Sequence, residues 1–530
     1  MKIFKSKFIR TKFALGVILF SLILQACQDH RVPPALQELP DQVFYALTEN
    51  NIIYELNVRN SSSPIRTIIV SEGLIDNDQL IGIDFRPATG QLYAVGKNSR
   101  LYNINLNSTA KPGLATPIGG SAFGSAITAT AVGFDFNPTV DRIRFVTNTG
   151  QNLRLHPETG AIAVTDGNLN GVPSTSVGAV AYTNSFSGAT TTLLYDIDPI
   201  ADKLYLQSNP NTGLLQDVGP LGLDISEVGG FDIAPFKTSA GKDYAIASVL
   251  FGGSWELDYV DLSSGKLQKL GSLPLGKIIG IAIPSPVAYA VSGNKLLTFF
   301  PNTSNTSVLE ETITALPNGV TIEGIDFRPA DARIYALGSD SKLYTLNTLT
   351  GAATLQSTLS MALLGTSFGV DFNPFADRLR VVSNTGQNLR IQIPNDMPMS
   401  PPVAIATKDT DITLAGTSKG VNGAAYTNSI VGLTAGSQTV LYDIDSETDK
   451  LYKQDPNPNG GVLVEVGSLG IDIDVNNGFD IGGITKSGYG IFTVGGVTGL
   501  YKVNLDTGAA TLVSNFSFSG TKGFALGFNM

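Results

Sequence analysis

The stretch Ile81-Gly-Ile-Asp-Phe-Arg-Pro-Ala88 decides the fold, because it returns as IEGIDFRPA at Ile322 to Ala330. Five further strings return with it. FDFNP at Phe134 reappears as VDFNP at Val370, and NTGQNLR at Asn148 reappears at Asn384. AYTNS at Ala181 reappears at Ala425, LYDID at Leu194 at Leu441, and FDI at Phe231 at Phe479. The offset drifts only from about 236 to about 248 residues, so one unit of roughly 240 residues has been duplicated whole.

A shorter period lies inside each copy. Segments built as apolar-Gly-x-Asp-Phe, or variants of it, begin near Ile81, Val132, Val177, Val228 and Ile278. In the second copy they begin near Ile322, Phe368, Val421, Asn476 and Gly523. A spacing of about 45–55 residues is the length of one four-stranded propeller blade. From Ile81 onward, IGIDF alternates as a strand, Arg86 to Gly90 (RPATG) breaks it, and LYAV at Leu92 is a second strand. LYNINL at Leu101 gives a third strand and Ala115 to Ile118 a fourth. Apolar residues recur at period two, with turn residues between runs and no sustained helical period.

The chain ends suggest how the blades close. Val43 to Val70 offers three strands without a first one, and Gly523 to Asn529 is a lone first strand. Ile278 to Pro284 is the matching lone strand at the end of copy one, and Val287 onward matches the N-terminal segment. Supplying one terminus to the other's blade removes the open sheet edge. Two architectures satisfy this, two five-bladed propellers or one ten-bladed ring. Pro284-Ser285-Pro286 is stiff and extended, which suits a crossing between domains, so an all-β chain of two tandem five-bladed β-propellers is expected. The boundaries expected are 41–284 for copy one and 285–530 for copy two.

The N-terminus reads as an address. Lys2, Lys5, Lys7, Arg10 and Lys12 precede a short apolar run, Phe13 to Leu24, and then Leu24-Gln25-Ala26-Cys27. This resembles a lipoprotein signal, with residues 1–26 removed, Cys27 acylated as the lipid anchor, and 27–40 a tether. The expected location is the bacterial cell envelope, periplasmic or on the outer-membrane surface. Cys27 is the only cysteine, so no thiol remains for a disulfide, a metal or nucleophilic catalysis. Losing the five basic residues takes the formal charge from −10 to −15, which disfavours nucleic acid as a partner.

The strings GIDFRP, DFNP with DRIR, SNTGQNLR, AYTNS and LYDID resemble those of a bacterial domain-of-unknown-function family found in exported proteins. The resemblance covers nearly all of 41–530 in two copies. It implies a propeller-like fold and no catalytic residues.

Four constellations are candidates for chemistry. Asn148, Gln151, Asn152 and Arg154, with Asn384, Gln387, Asn388 and Arg390 in copy two, lie where a strand pair turns. They would cap their own hairpin or face a polar ligand. Tyr182 and Asn184, with Tyr426 and Asn428, would pack a turn or form a small sugar-type site. Asp84, Asp135, Asp326 and Asp371 fall on inner strands, with Arg142, Arg144, Arg378 and Arg380 close behind. They would lock neighbouring blades through arginine or backbone, or line the channel for a cation or sugar. Asp196 and Asp198, with Asp443 and Asp445, place paired carboxylates on one strand face and would cap turns or hold calcium.

Catalytic signatures are absent. The histidines are His30 and His156, and there is no Gly-x-Ser-x-Gly elbow, zincin motif or phosphate loop. The expected function is therefore a non-enzymatic binding or scaffold module with an unknown protein or glycan partner, and no cofactor. The alternative is a metal-dependent hydrolase or lactonase using channel carboxylates such as Asp135 and Asp371.

Overall fold

A computed structural model describes residues 42–106, 112–235, 241–299, 301, 308–348, 350–394, 403–430, 438–483, 485–528 and 530. The signal segment, Cys27 and the tether lie outside the described residues. The alternating apolar runs form antiparallel four-stranded blades. Blade 2 is typical, with strands Leu80–Phe85, Leu92–Gly96, Arg100–Asn105 and Leu114–Ile118 in sequence order from axis to rim.

Both predicted closure points are present. Ile278–Ala282 pairs antiparallel with Val43–Thr48, setting Ala46 opposite Ile281. Thr521–Leu526 pairs in the same way with Ala288–Ser292, setting Ala290 opposite Phe524. Each lone strand is the inner strand of the blade that opens its own copy. The result is two five-bladed rings, and not one ring of ten. Blades 1–5 form ring one and blades 6–10 ring two.

The inner strands of ring one are Ile278–Ala282 (blade 1), Leu80–Phe85, Val132–Asn137, Ala179–Tyr182 and Glu227–Ile233 (blade 5). Each lies beside the next, and the last returns to the first. Ring two closes likewise through Thr521–Leu526 (blade 6), Ile322–Arg328, Phe368–Asn373, Gly423–Tyr426 and Gly478–Ile481 (blade 10).

The core lies between blades. Period two gives each sheet two apolar faces, and each face is buried against its neighbour. Tyr93 of blade 2 meets Phe136 of blade 3 edge-to-face at 5.1 Å, and their counterparts Tyr335 and Phe372 do so at 5.2 Å. Arg86, the arginine of GIDFRP, is buried at this seam and pairs with Asp141, and Arg328 pairs with Asp377 in ring two. Among the described residues, polar contacts join ring to ring around Tyr289, Ser285 and Phe528. The Tyr289 hydroxyl donates to the Ala88 carbonyl at 3.0 Å, and the Ser285 hydroxyl to the Ser185 carbonyl at 2.7 Å.

Candidate binding mouth and axial carboxylates

Each inner strand places one residue of the Asp of GxDF, or its substitute, against the ring axis. In ring one these are Asp84, Asp135, Ala181, Asp232 and Ala282 for blades 2, 3, 4, 5 and 1. In ring two they are Asp326, Asp371, Ala425, Asp480 and Ala525. The pattern is the same in both. The three carboxylates of each ring are buried, and each triad brings carboxylate oxygens within 4.8 Å of one another.

These carboxylates are used as clamps between blades. Asp84 accepts from its own neighbour Phe85 N and from Phe136 N of the next blade, both at 2.7 Å. Asp135 accepts from Tyr182 N at 3.0 Å, and Asp232 from Ile233 N and from Ile283 N at 2.6 and 2.5 Å. Ring two repeats every bond, through Phe327 and Phe372, Tyr426, and Ile481 and Leu526. Of the two sequence readings, the backbone lock is the geometry found. The arginine lock is found elsewhere, at Arg86–Asp141.

Three like groups in a dry space cannot all carry charge. Burial, then the other members of the triad, raises Asp84 and Asp135 well above the ordinary carboxylate range. Burial pushes Asp232 and Asp480 up to about 7. Each triad therefore retains protons at neutral pH.

The polar hairpin residues do not form one patch. Asn152 is buried and is part of an internal network. Arg144, only 1% exposed, donates to Asn152 Oδ1 and to Asp166 Oδ2, each at 2.7 Å, and to the Tyr182 hydroxyl at 3.2 Å. Asn152 Nδ2 donates onward to the carbonyls of Gly167 and Pro210 at 2.9 Å, and Arg154 holds Asp166 from outside at 2.8 Å. Arg380, Asn388, Asp409, Arg390 and Tyr426 form the twin in ring two. Asn152, Tyr182, Asn388 and Tyr426 therefore tie blade 3 to blade 4 and blade 8 to blade 9. Gln387 is also turned inward, bonded to Leu364 N and the Ala362 carbonyl, while Gln151 is exposed. Asn184 and Asn428 take left-handed turns at φ 54° and 62° and bond backbone carbonyls of Thr191 and Gln438.

The paired aspartates also diverge. Asp198 takes donors from Ser174 Oγ and the Ser176, Ile200 and Ala201 amides, and Asp445 takes Thr448 Oγ1, Glu447 N and Lys419. Asp196 and Asp443 are fully buried and find no hydrogen-bond partner among the described residues. Burial raises both, Asp443 to about 7.

Among the sequence candidates, Asn148 lies on a cavity. Asn148 is part of the wall of a mouth of about 630 Å³ at the axis of ring one, on the side where the inner strands begin. Glu49, Gln79, Lys97, Ser176 and Glu227 stand around it, above a floor that includes Val132 and Ile279. Beneath the floor a collar of Gly82, Gly133, Gly230 and Gly280 leaves a throat of only about 10 Å³. The collar glycines are needed for packing. A Cβ on Gly230 would sit 2.3 Å from Ile281 N, and one on Gly133 would sit 2.7 Å from a Val180 methyl.

The model of the family described as "Domain of unknown function (DUF4394)" matches residues 53–282 and again 295–525. The chain belongs to this family. The DUF4394 match thus falls once on each ring. Among curated proteins none matches. A solved structure with some likeness is PorZ, described as an essential bacterial surface component of the type-IX secretion system of Porphyromonas gingivalis. It is 12% identical with a TM-score of 0.25, over 91% of this chain and 58% of that one. The chain thus spans little more than half of PorZ.

Proposed function

We propose that this DUF4394 protein is a lipid-anchored binding or scaffold module of the bacterial cell envelope, held at Cys27 and presenting two rigid rings. The observation that supports it most is the division of polar groups. The axial aspartates and the buried arginine networks are consumed in joining blade to blade. The polar groups of the 630 Å³ mouth stand on loops and strand starts, where a rigid ring offers them to a partner.

The test is capture by the acylated protein in its native envelope, with a Cys27→Ala form as the unanchored control. A stable protein or glycan partner is the expected result. Turnover of a defined substrate with no stable partner would reject the reading. The hydrolase alternative uses Asp135 and Asp371 with a divalent ion such as calcium. It is favoured instead if the purified protein carries about one such ion per ring that is lost on Asp135→Asn. Five of six triad oxygens in each ring already accept backbone N–H groups, which leaves a cation few free lone pairs.

A further inference from the structure

A buried polar atom that bonds nothing is costly, and in folded proteins such atoms are rare. One such group recurs at the same place in both rings. Asp196 and Asp443, the first aspartates of the two LYDID strings, have no hydrogen-bond partner at either carboxyl oxygen among the described residues. The same holds for Gln207 Oε1 in ring one and for both amide atoms of Gln454 in ring two. All four side chains are at most 3% exposed.

The strands bring each aspartate beside its glutamine. Asp196 pairs across the sheet of blade 4 with Val180 and Tyr205, so its side chain leaves the same face as theirs. That face packs on Val146 of blade 3. Gln207 stands two residues beyond Tyr205 on one strand and shares the face. Ring two repeats the arrangement. Asp443 pairs with Ala424 and Tyr452, on the face that meets Val382 of blade 8, and Gln454 stands two residues beyond Tyr452. Burial pushes Asp443 up to about 7 and the Gln454 amide draws it back, which sets the amide beside the carboxyl. Yet the two do not hydrogen-bond each other. Polar groups that neighbour one another beyond direct bonding range are the setting of a bridging water.

The charge and the atoms left over define the occupant. Each seam already holds two guanidinium groups around one carboxylate, Arg144 and Arg154 on Asp166 in ring one, and Arg380 and Arg390 on Asp409 in ring two. A cation would add to that positive excess in a dry space, and a neutral molecule would not. Burial raises Asp196 well above the ordinary carboxylate range, with Arg144 opposing, so the carboxyl group offers one donor and one acceptor. Gln207 Nε2 is taken by the Pro210 carbonyl at 3.3 Å, which leaves Oε1 as an acceptor. A molecule that accepts one hydrogen bond and donates two completes this set. In ring two the Gln454 amide adds a donor, and a molecule that accepts two and donates two completes that one. Water meets both requirements.

We infer that each ring seals one ordered water molecule between its third and fourth blades, held by the Asp196 carboxyl and the Gln207 amide in ring one and by Asp443 and Gln454 in ring two. The water accepts the carboxyl O–H. It donates one hydrogen to the other carboxyl oxygen and one to the glutamine oxygen. It thereby ties the second strand of the blade to the third from within the seam. This site is separate from the mouth and stands whether or not the mouth binds a partner.

The test is a crystal structure of the mature full-length protein at neutral pH, at a resolution that shows single waters. One peak of density is expected in each ring, about 2.6–3.2 Å from the carboxyl oxygens and from the glutamine amide. Asp196→Leu should remove the peak from ring one and keep the peak in ring two, so each molecule carries its own control. Asp196→Asn, which still donates and accepts, should keep both. Circular dichroism and Trp255 fluorescence establish that each variant is folded, and Gln207→Leu, which should also remove the ring-one peak, replaces Asp196→Leu if that chain is not. Absence of density from both wild-type seams overturns the inference, and so does a direct carboxyl–amide bond in its place. Oxygens gathered at about 2.3–2.6 Å around the peak would make the occupant a cation and overturn it as well. A ring-one peak that survives Asp196→Leu would do the same.

Discussion

Replacing Arg144 by methionine should destabilise ring one and leave ring two intact. The aliphatic stem is kept, so packing loss is small. What is lost is the guanidinium that serves Asn152, Asp166 and the Tyr182 hydroxyl at 1% exposure. Removing one partner of a buried pair costs about 3–5 kcal/mol, because the other is left uncompensated. Asp166 keeps Arg154 at 2.8 Å, which places the expected cost near the lower end, about 3 kcal/mol. With a urea slope near the upper end of the usual range, about 3 kcal/mol/M, the midpoint should fall by about 1 M. The molecule supplies its own reporter. Its only tryptophan, Trp255, sits in blade 5 of ring one. Tryptophan fluorescence therefore follows ring one alone, while far-UV circular dichroism follows both. Arg144→Met should shift the Trp255 transition, and Arg380→Met should shift only the circular dichroism. A loss below about 1 kcal/mol, or an equal shift of the Trp255 transition by Arg380→Met, would refute the reasoning.

The axial triads predict a fall in stability with rising pH. Asp232 and Asp480 are raised from 3.8 to about 7 when folded, so the folded chain holds more protons than the unfolded chain between those values. Their stabilising effect is complete below pH about 4 and is lost as pH rises through about 7, which is worth about 4 kcal/mol per group. Denaturation midpoints at pH 5 and pH 8 should differ in this direction, and Asp232→Asn should shrink the difference for the Trp255 transition. Gly230→Ala forces a Cβ to within 2.3 Å of Ile281 N and should cost about 1–3 kcal/mol, read as a lowered Trp255 midpoint. Cys27→Ala should move the protein from the membrane fraction to the soluble one and abolish incorporation of labelled palmitate.

The blades and both closure points were legible because strand pairing writes itself into the chain at period two, and because duplication repeats each signal. Val43 to Val70 lacked a first strand and Ile278 to Pro284 lacked partners, so each pointed to the other. Asp84, Asp135, Asp326 and Asp371 were legible as inner-strand residues, whereas Asp232 and Asp480, which complete the two triads, were missed although each lies in the repeated FDI string. The partners of all six were not legible, since a backbone N–H carries no sequence signature. The hairpin string NTGQNLR drew attention as a loop, but Asn152 and Arg154 are bound to Arg144 and Asp166. Asp166 lies across the sheet and was not singled out, and neither was Asp409. Arg86 and Asp141 were missed for the same reason. The mouth was hidden in plain view. Aligning the two copies three residues before each axial position sets Ile81, Val132, Gly178, Gly229 and Ile279 against Glu323, Phe368, Asn422, Asn477 and Lys522, which are mostly polar. The difference lies beside the repeated motif, where attention to shared residues does not look.

The most direct test of the account is which strand closes ring one. In a chain with Cys27 replaced by alanine, cysteines at Ala46 and Ile281 face each other across the closing pair. Mild oxidation of the folded protein should join them and bridge Val43–Thr48 to Ile278–Ala282. In a single ten-bladed ring, Val43–Thr48 would instead lie beside Thr521–Leu526. Cross-linking of a cysteine at Ala46 to one at Phe524, with none to Ile281, would contradict the two closed rings and with them the separate mouth of ring one.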